Sequence, residues 1–301
     1  MSIGTFRSAH SAVVYDDVAA LEAGLDALDT PTRTTLPLLA RMRRSVLPPI
    51  VAVLFLLVVW IVLVALHVKP TYVLPPPSDV WATFLDYWQK GAVQEAVWNS
   101  LRRAFVGFSI SVVVGTALGL LLAQSRFVRT AIGPLVSGLQ SLPSVAWVPA
   151  AIIWFGLSDA AIYTVVLLGA VPSIANGLLA GVQQVPPLYL RVGRVLGARG
   201  WASIRYVVLP AAMPGYLAGL RQGWAFAWRS LMAAELITFS PELGTSLGQL
   251  LQIGRELSDM TLVMAAILMI LVVGVGIELL VFAPVERRML RSRGLTTGSS
   301  T

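Results

Sequence analysis

The chain has 301 residues, of which 56% are hydrophobic and 12% are charged, and its mean hydropathy is +0.78. These values lie far outside the range of soluble domains and predict a polytopic membrane protein. The absence of cysteine excludes disulfides, thiolate metal sites and cysteine nucleophiles, and His10 and His67 are too few and too far apart to suggest a metal centre. The net charge of +7 does not indicate nucleic-acid binding, because the arginines flank apolar runs instead of forming one basic patch.

Six apolar segments are long enough to be transmembrane helices. The segment 46–66 has no charged residue over 21 positions, and at about 1.5 Å per residue it can cross a hydrocarbon core of roughly 30 Å. It is too long for the apolar region of a signal peptide, which predicts that it is retained as an anchor. The other segments lie at about 100–123, 133–157, 160–182, 209–237 and 261–283. The sequence therefore predicts an all-α polytopic membrane helix bundle.

Basic residues are distributed unequally between the two membrane faces of these segments. Thirteen arginines flank one face, whereas two lysines and three arginines flank the other. Because cytoplasmic loops carry the excess of Lys and Arg, both termini and the loop between the fourth and fifth segments are predicted to be cytoplasmic. Arg102 and Arg103 fall on the poorer side and fit this topology if they lie on an interfacial helix before the second segment.

The segments outside the membrane differ in their predicted order. The run VLPPPSDV, between the first two apolar segments, contains three successive prolines. They favour an extended polyproline turn and cannot continue a helix, so a rigid connector followed by a short helix is predicted there. The N-terminal tail is rich in Ala, Asp, Ser and Thr and is predicted to be a solvated cytosolic tail.

The cytoplasmic loop of residues 190–210, LRVGRVLGARGWASIRYVVLP, is basic and lies between two apolar segments. Pro186 and Pro187 end the segment before it, because proline cannot continue a helix. A short helix is then predicted at 188–196 and a tight turn at Gly197. A second short helix is predicted at 201–208, ending at Pro210.

This loop concentrates aromatic, apolar and arginine side chains, namely Tyr189, Arg191, Arg194, Arg199, Trp201, Ile204, Arg205 and Tyr206. Such residues are typical of the centre of a protein interface. The alternative is that the aromatic residues lie among lipid headgroups and that the arginines only set the topology. From composition alone, the two interpretations are equally favoured.

The sequence contains no motif for nucleotide hydrolysis or nucleophilic catalysis. The pattern G-x-x-x-x-G-K-[ST] is missing and the only lysines are Lys69 and Lys90, so an ATPase would have to be another polypeptide. The serines are scattered, and no pattern indicates a serine nucleophile with a histidine base. Gly274 and Gly276 lie in an apolar segment, where helix packing explains them better than nucleotide binding.

The run from Gly197 through Val207 to Leu209 and Pro210 resembles the EAA loop of ABC-importer permease subunits, where it is the coupling helix that docks into the ATP-binding subunit. Residues 191–193 read Arg-Val-Gly where that signature has Glu-Ala-Ala, so the resemblance carries no carboxylate contact to the ATPase. Further similar segments are LPPPSDVW from 74, SLRRAFVGF from 100, SLPSVAWVPAAIIWFGLSD from 141 and LPAAMPGYLAGLR from 209. They resemble the sulfonate, taurine and nitrate subfamily, and together they span roughly residues 70 to 290.

The resemblance implies a type I ABC-importer permease fold in the bacterial cytoplasmic membrane. It implies a permease dimer, expected to be a homodimer, with ATPase subunits that bind ATP and Mg inside the cell and a solute-binding protein outside. This chain is then a transport subunit without its own cofactor, not an enzyme. The residues expected to couple to the ATPase are Tyr189, Arg191, Arg194, Gly197, Arg199, Trp201, Leu209 and Pro210. The predicted organisation is a cytoplasmic tail (1–45), a transmembrane anchor (46–66), an extracytoplasmic connector (67–99), a permease core (100–284) with a coupling loop (183–208), and a cytoplasmic tail (285–301).

The fifth apolar segment has two contrasting faces on a helical wheel. Glycines 215, 219 and 223 fall nearly opposite a face formed by Arg221, Trp224, Trp228, Met232 and Glu235. The glycine face is predicted to pack closely against another helix. Arg221 and Glu235 are 14 residues apart, about 21 Å along an ideal helix, and so cannot pair.

Charged and polar residues inside the segments are candidates for a solute pathway, since ionisable groups at membrane depth face protein or water. Arg229 is predicted to attract an anion and Glu235 to organise its neighbours, the slightly favoured alternative for Glu235 being a structural interhelical ion pair. In the third segment, prolines 143 and 149 free backbone groups near four residues that can line a polar constriction: Gln140, Ser141, Ser144 and Trp147. Asn176, near Pro172, is a further candidate. An equally favoured alternative is that these polar residues of the third and fourth segments, together with Trp147, only stabilise helix kinks.

The function predicted from the whole sequence is ATP-driven import of a small solute, an aliphatic sulfonate or a related anion, through this permease subunit. Two alternatives belong to other classes. One is a self-contained channel or secondary transporter that uses the intramembrane Arg and Glu residues for coupling. The other is a membrane scaffold whose only role is docking.

Overall fold

The computed structural model describes residues 38–292, and this part of the chain is helical without any strand. Most of the two predicted cytoplasmic tails, residues 1–37 and 293–301, lies outside the described residues. The helices are α1 (Leu38–Ala65), α2 (Pro77–Gln89), α3 (Ala92–Gln124), α4 (Arg126–Ser141), α5 (Val148–Phe155), α6 (Asp159–Gln183), α7 (Pro187–Val195), α8 (Leu209–Ile237), α9 (Leu247–Glu256), α10 (Met260–Ile277) and α11 (Ala283–Ser292). Between them lie short 3-10 helices at Ser144–Trp147 and Pro241–Leu243, a three-residue α-helical segment at Trp201–Ser203, and π-helical segments at Ile204–Val208 and Glu278–Phe282.

The chain divides into two compact units, residues 1–56 with 293–301, and residues 57–292. The described part of the first unit is the beginning of α1. The second unit contains the end of α1 and all other helices, and every contact below lies within it.

Four helical stretches of the described chain are long and apolar enough to cross a membrane: Leu47–Ala65, Ala92–Gln124, Asp159–Gln183 and Met260–Arg291. A fifth is reached if α4 and the helical pieces after it count as one broken span. The 29-residue α8 is not among them, because Arg221, Arg229, Glu235 and several glycines and prolines make it less apolar. Length and composition thus support four or five spans where the sequence predicts six.

The third predicted span, 133–157, is not one continuous helix. Its two halves, Arg126–Ser141 and Ser144–Phe155, meet at an angle of 99°. The cause is local: Pro143 disfavours helical geometry in the residue before it, and Leu142 accordingly has φ −78° and ψ 129°. The sequence predicts a kink in one helix, whereas the structure has a break between two helices.

The extended connector and short helix predicted before the second span are confirmed. Pro76 is extended, with φ −67° and ψ 152°, and Pro77 begins α2, where a missing backbone N–H costs nothing. The indole Nε1 of Trp60 donates a hydrogen bond of 3.0 Å to the carbonyl of Pro75, which attaches the connector to the end of α1.

The core of the second unit is formed by α3, α6 and α8. The predicted glycine face of α8 packs directly on α6: a Cβ added to Gly219 would lie 2.7 Å from the Cα of Gly177. A Cβ on Gly215 would lie 2.5 Å from the Cα of Gly181, so both crossings bring backbone against backbone. This close approach fixes the neighbouring face of α8, which carries Arg229, beside the break after α4.

Candidate solute pathway and coupling loop

A cavity of about 310 Å³ lies at the break after α4. Its polar lining comes from three of the predicted pathway residues on the α4 side, Gln140, Ser141 and Ser144, and from Arg229 of α8. Apolar side chains and Gly169 of α6 complete the wall. The break therefore brings together four side chains that the sequence predicts to line a pathway.

Arg229 has no carboxylate partner among residues 38–292, since none of the ion pairs there includes it. Its guanidinium lies over the ring of Phe226, 4.8 Å from the centroid, and its Nε donates to the carbonyl of Ala225 at 3.1 Å. The side chain is exposed and lines the cavity. A fixed positive charge beside amide and hydroxyl groups is suited to an anion.

A short polar network joins α4 to α6. The amide of Asn176 donates to Oε1 of Gln140 at 2.8 Å, and the amide of Gln140 donates to Oγ of Ser173 at 3.1 Å. A second contact joins the break to α8, because the hydroxyls of Ser144 and Ser230 lie 2.6 Å apart. These hydrogen bonds hold the end of α4 in register with α6 and α8.

A second cavity of about 510 Å³ lies between α6 and α8, next to the first. Its polar lining consists of Gln140, Ser173, Asn176, Gln184 and Gln222. Gln140 lines both cavities, whereas Asn176 lines only the second and Trp147 lines neither. Sequence reasoning missed Gln184 and Gln222, although Gln222 precedes Arg229 by two helical turns and therefore shares its face.

Glu235 lines neither cavity. It forms an interhelical ion pair, which is the alternative that the sequence slightly favours over a role in the pathway. It is fully buried and its Oε1 accepts from the guanidinium of Arg103 at 3.3 Å. Its Oε2 accepts from the hydroxyl of Ser100 at 2.7 Å and from the backbone N–H of Gly248 at 3.2 Å. These contacts join α3, α8 and the start of α9.

Arg103 is the centre of this network and was missed as a functional residue. The sequence suggests an interfacial position for it, but it lies within the continuous helix α3 and is fully buried. Besides Glu235, it donates to Asp159 at 2.7 Å and to the carbonyl of Leu243 at 2.6 Å. No local pattern indicates these contacts, because the two carboxylates lie 56 and 132 positions away in the chain.

Arg221 forms ion pairs on the other side of α8. Its guanidinium contacts Glu278 at 2.5 Å and Glu286 at 3.0 Å. The prediction that Arg221 does not pair with Glu235 is confirmed. Arg229 is the one arginine of α8 that lines a described cavity.

The coupling loop begins as predicted and continues differently. α7 covers Pro187–Val195, and Gly197 has a φ of 85°, a left-handed conformation that glycine adopts without strain. The second helix begins at Trp201 as predicted, but the prediction that it ends at Pro210 is wrong, since the α-helical residues Trp201–Ser203 and the π-helical segment lead directly into α8. The wider π turn, in which the N–H of Leu209 bonds to the carbonyl of Ile204, carries the helix past Pro210.

Gly193 explains one departure from the EAA signature. It is buried, and a Cβ at this position would lie 2.8 Å from Cγ2 of Val207. The backbone N–H of Ala198 donates to the carbonyl of Gly193 at 2.8 Å and closes the turn. The small residue thus allows α7 to pack against the π-helical segment.

The outer surface of the loop combines exposed aromatic and basic side chains. Tyr189, Trp201 and Tyr206 are exposed, and the guanidinium of Arg205 lies 5.9 Å from the ring centroid of Tyr206. The other exposed arginines are Arg191, Arg194 and Arg199. Leu209 is also exposed, so this surface presents both apolar area and positive charge.

Residues 115–290 match the family described as binding-protein-dependent transport system inner membrane component. The chain belongs to this family. The matched region begins inside α3 and ends inside α11, so it contains the coupling loop and both cavities. The chain is therefore a permease subunit of an ABC importer and a multi-pass membrane protein, and a self-contained channel or secondary transporter is not favoured.

Two relatives and one solved structure illustrate the similarity. The taurine transport system permease protein TauC of Escherichia coli is 30% identical over 229 residues, 74% of this chain and 82% of that protein. The nitrate import permease protein NrtB of Synechocystis sp. is 32% identical over 216 residues, 69% of this chain and 78% of that protein. An inward-facing structure of the MetNI methionine ABC transporter superposes with a TM-score of 0.54 at 20% identity, covering 66% of this chain and 96% of that one, which shows the shared fold.

Proposed function

We propose that this permease imports a small organic sulfonate or a related anion across the bacterial cytoplasmic membrane, as one half of a homodimer. The observation that carries this proposal is Arg229, an arginine without a carboxylate partner in residues 38–292 that lines a cavity with polar side chains. The two relatives named for taurine and nitrate transport support an anion.

The chemistry of the cavity suits a sulfonate oxygen. A guanidinium donates charge-assisted hydrogen bonds to an oxyanion, and hydroxyl groups add further donors. Gln140, Ser141 and Ser144 provide an amide and two hydroxyls in the same cavity. A role in stabilising a helix kink would not require these residues to line a cavity, so their position in the cavity supports the pathway role.

The proposed complex contains two permease subunits, two ATPase subunits that bind ATP and Mg, and an extracytoplasmic solute-binding protein. The coupling surface on this chain consists of Tyr189, Arg191, Arg194, Gly197, Arg199, Trp201, Leu209 and Pro210. The exposed aromatic rings and arginines support docking of an ATPase. The turn at Gly197 separates α7 from the helix that follows, and that helix continues through Pro210 into α8. This continuity suggests how movement of the loop is transmitted to α8.

The test is ATP-dependent uptake of radiolabelled taurine and nitrate into proteoliposomes that contain the permease, its ATPase and its binding protein. We expect Arg229→Gln to lower the uptake of the transported anion by about ten- to a hundredfold, since hydrogen bonds to charged groups contribute about 1.5–3 kcal/mol. Arg229→Lys keeps the charge but loses the planar donor geometry, so an intermediate rate is expected.

The matched control is Arg255→Gln, which removes an exposed arginine that lines neither cavity. Its uptake rate should equal that of the unmodified permease. Normal uptake by an assembled Arg229→Gln complex would contradict the anion site. ATP-independent uptake by the permease alone would contradict the whole proposal.

A further inference from the structure

The two cavities follow one face of α8. The α8 residues that line them include Ala218, Gln222, Phe226, Arg229 and Ala233. Their spacings of three and four residues place them in one row along the helix. Ala218 and Gln222 line the second cavity, whereas Phe226, Arg229 and Ala233 line the first. The two cavities therefore follow one another along this row.

Gln140 lies where the two cavities meet. It is the residue common to both linings. Its amide group is held at both ends, by the 2.8 Å bond from Asn176 and the 3.1 Å bond to Ser173. Both partners belong to the lining of the second cavity, so the Gln140 side chain covers their hydrogen-bonding groups on that side.

The lining of the second cavity combines small apolar residues with five polar side chains and carries no charge. Its polar groups are the amides of Gln140, Asn176, Gln184 and Gln222 and the hydroxyl of Ser173. Amides both donate and accept hydrogen bonds, so this cavity can receive an oxyanion without the strong attraction of a fixed positive charge. Passage through a membrane protein requires sites that bind a solute weakly enough to release it.

We propose that the amide-lined cavity is a second solute station and that Gln140 is the divider between it and the Arg229 station. This inference rests on the proposed function. Under the predicted topology, α8 runs from the cytoplasmic side at Leu209 to the outside at Ile237, which places the second station nearer the cytoplasm. When the Gln140 side chain swings away, the amide of Asn176 and the hydroxyl of Ser173 become donors for the solute oxygens. A solute oxygen then takes the place of the Gln140 carbonyl as acceptor for Asn176, and the hydroxyl of Ser173 turns to donate to a second solute oxygen, which offsets the cost of opening the Gln140 divider.

The experiment uses single cysteines, because the chain contains none of its own. Ala233→Cys reports on the Arg229 station and Ala218→Cys on the amide-lined station. The complete transporter in proteoliposomes is labelled from one side at a time with a membrane-impermeant methanethiosulfonate that carries a sulfonate group, with and without ATP. The measured quantity is the ratio of the two labelling rates from each side.

With Gln140 intact, each side should label its nearer cysteine faster, Ala233→Cys from outside and Ala218→Cys from the cytoplasm. In Gln140→Ala, the ratio of the faster to the slower labelling rate from each side should fall about tenfold toward one, since the two hydrogen bonds that close the divider are lost. Gln124→Ala removes an exposed glutamine that lines neither cavity and should leave the ratio unchanged. Gln140→Asn, which keeps a shorter amide, should have an intermediate ratio and is decisive if Gln140→Ala does not assemble.

An unchanged ratio in assembled Gln140→Ala or Gln140→Asn transporters would overturn the divider. Failure to label Ala218→Cys from either side in any state would overturn the second station. Both results leave the proposed function standing if the parent transporter shows ATP-dependent anion uptake that depends on Arg229. Absence of that uptake would instead contradict the proposed function.

Discussion

At the scale of single residues, Arg103 and Glu235 show how charged groups are accommodated inside the bundle. Both side chains have an exposed fraction of 0%. Removing two charges from water is costly, and the cost is offset only when each charge is paired and its remaining groups are hydrogen-bonded. Here Asp159, Ser100 and backbone groups around Leu243 and Gly248 complete the hydrogen bonding.

We expect Arg103→Ala to lower the free energy of unfolding by about 3–5 kcal/mol, because it leaves the Glu235 carboxylate buried without its cationic partner. The measurement is thermal or denaturant unfolding of the purified permease in detergent. Arg102→Ala is the neighbouring control: the Arg102 side chain is 52% exposed and lies 3.6 Å from Asp159. An exposed pair of this kind contributes about 1 kcal/mol or less. Equal destabilisation by the two substitutions would show that the burial of the Arg103 pair has no special effect.

At the scale of helices, the crossing of α6 and α8 depends on residues without side chains. Backbone atoms of the two helices approach so closely at Gly177 and Gly219 that a methyl group on either would overlap the other helix. In membranes, such small-residue contacts replace the hydrophobic effect as a source of helix association. The crossing also determines which face of α8 lines the two cavities.

Gly219→Ala should therefore lower the free energy of unfolding by about 1–3 kcal/mol, as is typical when extra carbon atoms are forced into a packed contact. The matched control is Gly276→Ala, also within a helix, where the added Cβ meets no atom within 4 Å. Since alanine favours helix more than glycine by about 1 kcal/mol, the control should be neutral or stabilising. Unfolding of both variants in the same detergent provides the comparison, and similar stabilities would argue against the close crossing.

At the scale of the whole molecule, the arginine distribution predicts which ends of the helices face the cytoplasm. Because the chain has no cysteine, single cysteines can report on topology without a modified background. Ser78→Cys, at an exposed position of α2, should be labelled by an impermeant maleimide only from outside the cell. Val195→Cys, in the coupling loop with an exposed fraction of 86%, should be labelled only from the cytoplasmic side.

Binding of the ATPase should then protect Val195→Cys by about tenfold or more, since side chains in the centre of an interface lose contact with water. The same ATPase should leave the labelling of Ser78→Cys unchanged, which makes it the internal control. Labelling of Val195→Cys from outside would contradict the topology, and unprotected labelling in an assembled complex would contradict docking at α7.

The sequence by itself determined those features of the protein that depend on neighbouring residues. Apolar runs, the end of the fourth segment before Pro186, the glycine face of α8 and the coupling-loop motif each follow from a pattern within one segment of the chain, and several such patterns together indicate the permease family. The extension of the loop helix past Pro210 was not predicted, because a π turn has no clear local signal.

Only the tertiary structure decided which polar residues of the predicted membrane segments face a cavity and which are paired inside the bundle. Glu235 and Arg229 are six positions apart on one helix, yet the first is fully buried against Arg103 and the second lines a cavity. The difference arises from helices distant in the chain: α3 supplies a cation to one residue, and the broken end of α4 leaves space beside the other. The position of Gln140 between two cavities has the same origin, since it depends on the 99° bend and on partners 33 and 36 residues away.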